Sequence, residues 1–421
     1  MLTHQISESV DALRSNLIAF IQTLVQTPSL PEQEHAVQTV IADKLRALNL
    51  HVDVAPTVFD ELRHHPAFND DGFDANKRVN VVGRWGSGAA GLILNGHVDV
   101  VSPGDENLWS LPPWSGALRD GRIYGRGACD MKAGVATGIF AMAALQRLGF
   151  APARSVLMQT VIGEESGGVG TLTTIVKGYT AEACIVLEPT GLELSPVQSG
   201  ALTFRLTVPG KAAHAALRQF GVNAIEKFAV VLNALSQLEA ERHAQFAASP
   251  IAQLYPDARY IAPISLGTVK GGEWHSTVAE KVVAEGRLGV FPGERNEAAR
   301  QALVDAVSRA AAADEWLSQH PPQIEWFEGQ FESGATDPQH PFIQTLAAAH
   351  EAMLGRQPRI TGVPYGADLR LFTNHAHIPT VLYGAGDVSR AHAVDEYIEI
   401  EEVVQATKVV ALMIANWCNR N

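Results

Sequence analysis

Four short apolar runs constrain this chain more than any other feature: "NVVGRW" from Asn80, "GLILNG" from Gly91, "SVLMQTVI" from Ser155 and "CIVLE" from Cys184. Each is shorter than a stable helix and carries almost no polar face, so each reads as a strand. A helix-like stretch, "GVATGIFAMAALQRLG", separates the second run from the third. Apolar strands alternating with helices predict an α/β sheet covered on both faces. Upstream, Ile6, Val10, Leu13, Leu17, Ile21 and Leu24 recur at intervals of three and four, the mark of an amphipathic helix, which Pro28 and Pro31 end. Val37, Ile41, Leu45 and Leu48 mark a second helix, and the polar, irregular stretch 55–79 reads as a surface loop.

Near Pro196 the texture changes. "ALTFRLTVPG" alternates as a half-buried strand does, and a long helix follows over about 223–246. Strand-like "ISLGTVKGG" and "KVVAEGRLGVF" come next, then a helix over roughly 294–317 and the strand "QIEWFEGQ". That order predicts an α+β, ferredoxin-like sandwich. After Pro338 the α/β texture returns, with "FIQTLAAAHEAMLG" as helix and "IPTVLYGAG" as strand. The expected organisation is an α/β domain over 1–195 and 333–421, interrupted by an inserted α+β domain over 196–332. At 421 residues the chain is long enough for two cores.

The chemistry gathers where the strands end. "VIGEESGGVG" sets Glu164 beside Glu165 after an apolar run, where two negative charges repel and lose hydration unless something positive joins them. His97 and Asp99 follow "LILNG", Asp130 sits in the glycine-rich "GRIYGRGACDMKAG", Glu188 ends "CIVLE", and His392 lies in "SRAHAVDEY". Singly, each has an ordinary reading: a surface histidine, an N-cap aspartate. Together they place carboxylates and imidazoles, without cysteine, at one topological position, which describes a site for one or two Zn²⁺-like ions. Such cations would also keep both glutamates ionised.

Composition narrows the setting. A formal net charge of −13 argues against a nucleic-acid surface or a basic membrane face. Cys129, Cys184 and Cys418 are too few and too scattered for a disulfide framework. No apolar run is expected to reach the ~18 residues of a membrane helix. Glu8, Asp11 and Arg14 interrupt what would be the apolar core of a signal peptide, so a cytoplasmic location is expected.

The set "GHVDVV", "GRGACDMKAG", "GEESGG", "LEPT" and "AHAVDEY" resembles, in order and spacing from about residue 80 to 400, the M20 family of metallo-amidohydrolases and peptidases. The resemblance implies a zinc-peptidase-like α/β catalytic domain with an inserted lid and dimerisation domain. His97, Asp130 and Glu188 would hold one ion and Asp130, Glu165 and His392 the other, with Asp130 bridging. The ions would be Zn²⁺, with Co²⁺ or Mn²⁺ also suited to this ligand set. Asp99 would accept a hydrogen bond from the second nitrogen of His97, Glu164 would be the general base, and the Asp130–Met131 peptide would be cis. The resemblance further implies a homodimer through the inserted domain, in which His214 of "VPGKAAHAALRQF" stabilises the oxyanion of the partner's substrate. Arg370 of "PYGADLRLF" would grip a substrate carboxylate; the alternative is a structural salt-bridge arginine.

The implied activity is hydrolysis of the amide bond of a small N-acylated amino acid or related amine, in the manner of an acetylornithine deacetylase. An N-formyl aminopyrimidine deformylase and a dipeptidase or carboxypeptidase are the enzymatic alternatives; a catalytically dead binding relative is the non-enzymatic one. Ala133 in "DMKAG" is a small departure from the family pattern, whereas Ser276 and Ala279 in "GGEWHSTVAE", where asparagine and proline are common, bear on substrate contacts and so on specificity, not on the hydrolytic machinery. Trp274, His275, Trp109 and Trp114 are read as either substrate contacts or packing.

Overall fold

The computed structural model describes residues 1–75, 77–257 and 261–419, and the side chains of all of these except residue 328. The chain divides into two compact units, one formed by 1–196, 335–361 and 367–421, the other by 197–334 and 362–366. The sequence places the joints at 195/196 and 332/333. The return of 362–366 to the second unit has no sequence signal, because five residues are too few to change the texture of the chain.

The first unit is built on a mixed sheet. Its strands run in the order β1 (His51–Pro56), β2 (Val79–Trp85), β6 (Ser155–Val161), β3 (Ala90–His97), β7 (Cys184–Val186), β15 (Thr380–Leu382) and β8 (Leu194–Gln198). β6, β3, β7 and β15 are mutually parallel; β1 and β2 join one side antiparallel. All of β6 and β7, and β3 from Gly91 on, are buried, as strands covered on both faces must be.

The cover comes from α1 (Leu2–Val25), α2 (His35–Ala47), α4 (Ala133–Arg147), α5 (Val169–Val176), α8 (Pro341–Leu354) and α9 (Ile400–Trp417). The stripe Ile6, Val10, Leu17, Ile21 and Leu24 of α1 is fully buried in the common core. α4 has no exposed stripe: Ala133 to Leu145 are all buried. The helical stretch Ala128–Arg147 is in fact long and apolar enough to cross a membrane, contrary to the sequence expectation, and 94% of its most apolar window is buried inside this unit. Small residues allow that depth. A Cβ at Gly134 would lie 2.0 Å from the carbonyl oxygen of Leu187, so only glycine lets α4 meet the strand end there. α9 buries Val403, Val404, Val410 and Met413 and leaves Glu401 and Asn416 exposed.

The loop 55–79 contains a one-turn helix, α3 (Phe59–Leu62), and is held by buried Arg78, which pairs with Glu34 at 2.9 Å and Asp71 at 2.6 Å. A small sheet of β16 (Tyr397–Glu399), β5 (Arg122–Tyr124) and β4 (Ala117–Arg119) completes the first unit.

The second unit is a four-stranded antiparallel sheet in the order β10 (Ile264–Gly271), β11 (Lys281–Val290), β9 (Gly200–Pro209) and β12 (Gln323–Phe331). α6 (Ala224–Ala247) and α7 (Asn296–Ala312) close a core that includes Leu202, Phe204, Leu206, Val231, Leu235, Leu288, Leu303 and Val307. α7 stops five residues short of its expected end. Asp314 accepts hydrogen bonds from the amides of Trp316 and Leu317, a local turn that competes with further helix. β13 (Gly334–Ala335) and β14 (Ile360–Val363) lie where the chain passes between the units.

Candidate metal centre

Three adjacent parallel strands deliver the first ligands. β3 has β6 on one side and β7 on the other, so the carboxyl ends of all three lie along one edge, where open α/β sheets bind ligands. His97 is the last residue of β3. Glu164 and Glu165 follow the end of β6 at Val161, and Glu188 follows β7 after Leu187. Asp130 arrives from the irregular turn before α4, with the Asp130–Met131 peptide in the cis form. His392 comes from the loop before β16, at a positive φ of 59°.

Asp130 sits between the two imidazoles. Its Oδ1 lies 3.0 Å from His97 Nε2 and its Oδ2 lies 3.4 Å from His392 Nε2. His392 Nε2 is also 3.0 Å from both carboxylate oxygens of Glu165. Glu164 and Glu188 each approach His97 Nε2 to 4.0 Å. Two groupings therefore have all their donor atoms within 4.8 Å of one another: His97 with Glu164 and Glu188, and His97 with Asp130 and Glu165. Glu164, expected just outside the ligand set, stands as near His97 as Glu188 does.

The carboxylates and imidazoles of this cluster shift one another's proton affinities. Burial pushes the carboxyls of Glu164 and Glu188 well above the carboxylate range, with the charges of neighbouring carboxylates adding to it and the His97 charge opposing. Burial and the Asp130 charge raise Glu165 too. Burial opposes charge on His97, yet the hydrogen bond to Asp130 and the surrounding carboxylates hold it well above its ordinary value. Hydrogen bonds to Asp130 and Glu165 lift His392 to about 10. Asp130 stays well below the carboxylate range: burial raises it, but the hydrogen bonds of His392 and His97 prevail. Divalent cations bound among these carboxylates would offset the same burial and repulsion. The donors, all oxygen or imidazole nitrogen and all within one cluster, fit two such ions. This answers why two adjacent glutamates can share a strand end.

Two expectations, for Asp99 and Arg370, meet a different geometry. His97 Nδ1 donates to the backbone carbonyl of Asp99 at 2.9 Å, not to the Asp99 carboxylate, whose nearest oxygen is 3.6 Å away. That carboxylate instead accepts from the amides of Glu164 at 3.3 Å and Glu165 at 3.2 Å, so it fixes the glutamate turn. Arg370 is 1% exposed and donates to the carbonyl of Gly167 at 2.8 Å, behind the same turn. A guanidinium enclosed there has no open face for a substrate carboxylate, which fits the structural alternative. His214 belongs to the second unit, where its Nδ1 accepts from the amide of Ala216 at the start of an exposed turn.

The aromatic candidates separate as well. Trp109 is buried, its indole N–H bonded to the Pro103 carbonyl, which is packing. Trp114 is half-buried, whereas Trp274 is exposed and stacks on His275, whose Nδ1 lies 2.8 Å from Ser276 Oγ. The sequence reading passed over Glu396, Arg126 and Asp368, all buried and charged beside the site. Glu396 and Asp368 fall inside the quoted segments "AHAVDEY" and "PYGADLRLF"; a charge inside an otherwise glycine-rich or apolar segment is the signal that was there to be used.

A largely buried cluster of carboxylates and imidazoles at one sheet edge is suited to hold divalent metal ions. The chain belongs to peptidase family M20/M25/M40, whose sequence pattern matches residues 93–416. It is 30% identical to the N-formyl-4-amino-5-aminomethyl-2-methylpyrimidine deformylase of Halalkalibacterium halodurans, over 97% of this chain and 96% of that one. It is 25% identical to the acetylornithine deacetylase of Edwardsiella ictaluri, over 96% and 98% of the two chains. Human carnosine dipeptidase 1 shares the fold, with a TM-score of 0.74 at 15% identity, over 100% of this chain and 99% of that one. The protein is therefore an amide-bond hydrolase of this family.

Proposed function

We propose that the substrate is a small N-acyl amine without a carboxylate, in the narrowest reading an N-formyl aminopyrimidine, cleaved at a di-zinc centre. The burial of Arg370 carries this reading, because it withdraws from the first unit the guanidinium that an N-acyl amino acid would need. Full-length similarity to an N-formyl aminopyrimidine deformylase supports it.

His97, Asp130 and Glu188 would hold one ion, and Asp130, Glu165 and His392 the other. When bound, the ions supply Lewis acidity, lowering the pKa of a water and polarising the amide carbonyl. Asp99 fixes the backbone of Glu164 and Glu165, so the two carboxylates face different partners. Glu164, kept ionised by the bound cations, would take the proton of the attacking water and return it to the departing nitrogen. His214 would stabilise the oxyanion from the partner protomer of a homodimer. That dimer is supported by β10, an outermost strand with Val269 half exposed, and by exposed Phe220, Ile225 and Trp274 in the same unit. The acidic balance and the buried thiols support a cytoplasmic setting.

The test is amine release by metal-loaded protein across N-formyl aminopyrimidines, N-acetyl-ornithine, other N-acetyl amino acids, N-succinyl-diaminopimelate and dipeptides. Turnover of the pyrimidine well above the rest is expected. Preference for an N-acyl amino acid would overturn the assignment of substrate class and leave the metal chemistry standing.

A further inference from the structure

Four residues beyond His392, the Glu396 side chain is 1% exposed and uses both oxygens. Oε1 accepts from the amides of Cys129 at 2.8 Å and Asp130 at 3.1 Å. Oε2 accepts from Arg126 Nη1 at 2.6 Å, and the Arg126 guanidinium lies 5.2 Å from the ring centre of buried Trp109. The backbone takes part too: Gly125 N–H donates to the Glu396 carbonyl at 2.9 Å. One short segment, 392–396, therefore supplies an imidazole to the cluster and also grips the main chain of the carboxylate that lies between the imidazoles.

We propose that Glu396 is a positioning residue for the metal centre: its carboxylate sets Asp130 relative to His392, so that one carboxylate can face both imidazoles at once. The proposal rests on the metal-site reading above. A charged acceptor on two consecutive amides is a strong restraint, and Arg126 fixes its direction from the other side. Displacing Oε1 would move the Asp130 backbone and, with it, the donor atoms that both ion positions share.

Two variants separate this role from that of an ordinary buried ion pair. Glu396→Asp keeps the charge for Arg126 but withdraws the oxygens from the two amides by one methylene. The double variant Arg126→Leu/Glu396→Gln keeps an amide oxygen at full reach and removes the ion pair. Each metal-free protein is titrated with Zn²⁺ against a chromophoric chelator, and its melting temperature is recorded. Loss of a partner outside the ligand shell costs about 10–100-fold in metal affinity. A loss of that size is expected in Glu396→Asp, at a near-native melting temperature, with the double variant within about threefold of the unaltered chain in affinity. An ion pair that merely stabilises the fold gives the reverse order. That order, equal behaviour of the two variants, or native affinity in Glu396→Asp when the double variant does not fold would each overturn the proposal. Failure of the unaltered chain to bind two ions would overturn the metal-site reading and this proposal together, a result distinct from the variant outcomes.

Discussion

Glu164 and Glu165 are neighbours in sequence and different in placement. Glu165 meets His392 at 3.0 Å, whereas Glu164 lies 4.0 Å from His97. Replacing Glu164 by Ala should lower kcat by about 10²–10⁴-fold while the chain still binds two ions, checked by kinetics alongside metal analysis. Full activity in that variant would remove the general-base role. Arg370 separates substrate binding from support. Its guanidinium is the main charge opposing burial of the Asp368 carboxyl, and it lies against the glycine turn after Glu165, where a Cβ at Gly168 would come within 3.2 Å of Nη2. Arg370→Ala should therefore cost about 1.5–3 kcal/mol of stability in urea unfolding, as loss of a buried charge-assisted hydrogen bond to the Gly167 carbonyl does. A stable variant with a raised KM only for carboxylate substrates would restore the substrate role. The identities of the site residues were legible because each sits at a strand end in a short motif. Their partners were not: nothing local distinguishes an Asp99 that bonds an imidazole from one that bonds two amides.

Secondary-structure elements hold the site by close approach. α4 touches the strand end that carries Glu188 at Gly134, and a methyl group there would overlap the Leu187 carbonyl. Gly134→Ala should cost about 1–3 kcal/mol and weaken metal binding, because relief requires the Glu188 strand end to shift; unchanged chelator competition would show that the strand end does not move. His350 on α8 is buried, and its Nδ1 lies 3.0 Å from the Tyr383 hydroxyl just beyond β15. Burial, helped by the Arg356 charge, lowers the imidazole to about 4. The unfolded chain binds this proton near the ordinary value of 6.5 and the folded chain only near 4, so the contribution is complete above 6.5 and is lost as pH falls between them. Urea midpoints at pH 7 and pH 5, with chelator present, should show about 2 kcal/mol less acid sensitivity in His350→Gln than in the unaltered chain. Equal sensitivity would place the proton uptake elsewhere. The amphipathic helices α1 and α2 were legible because one face stays wet. α9 went unread, although its apolar residues also recur at helical spacing above a polar side of Glu401, Glu402, Gln405 and Lys408.

At the scale of the whole molecule, the exposed outer strand β10 and the apolar residues near it require a partner or tolerate water. Sedimentation should give a dimer, and Val269→Lys should shift it toward monomer by placing a charge on that edge. A monomeric unaltered chain would remove the cross-protomer role of His214. With the dimer present, His214→Ala should lower kcat by about 10²–10³-fold with unchanged ion content. The sequence by itself determined that an α/β unit is interrupted by an α+β unit, and that acids and histidines collect at strand ends. Both follow from local period and order along the chain. Only the tertiary structure decided that Glu164 stands as near His97 as Glu188 does, that Asp99 serves the glutamate turn, and that Arg370 is enclosed. Those outcomes depend on contacts between residues tens to hundreds of positions apart, where burial and charge are set by neighbours that sequence order does not specify.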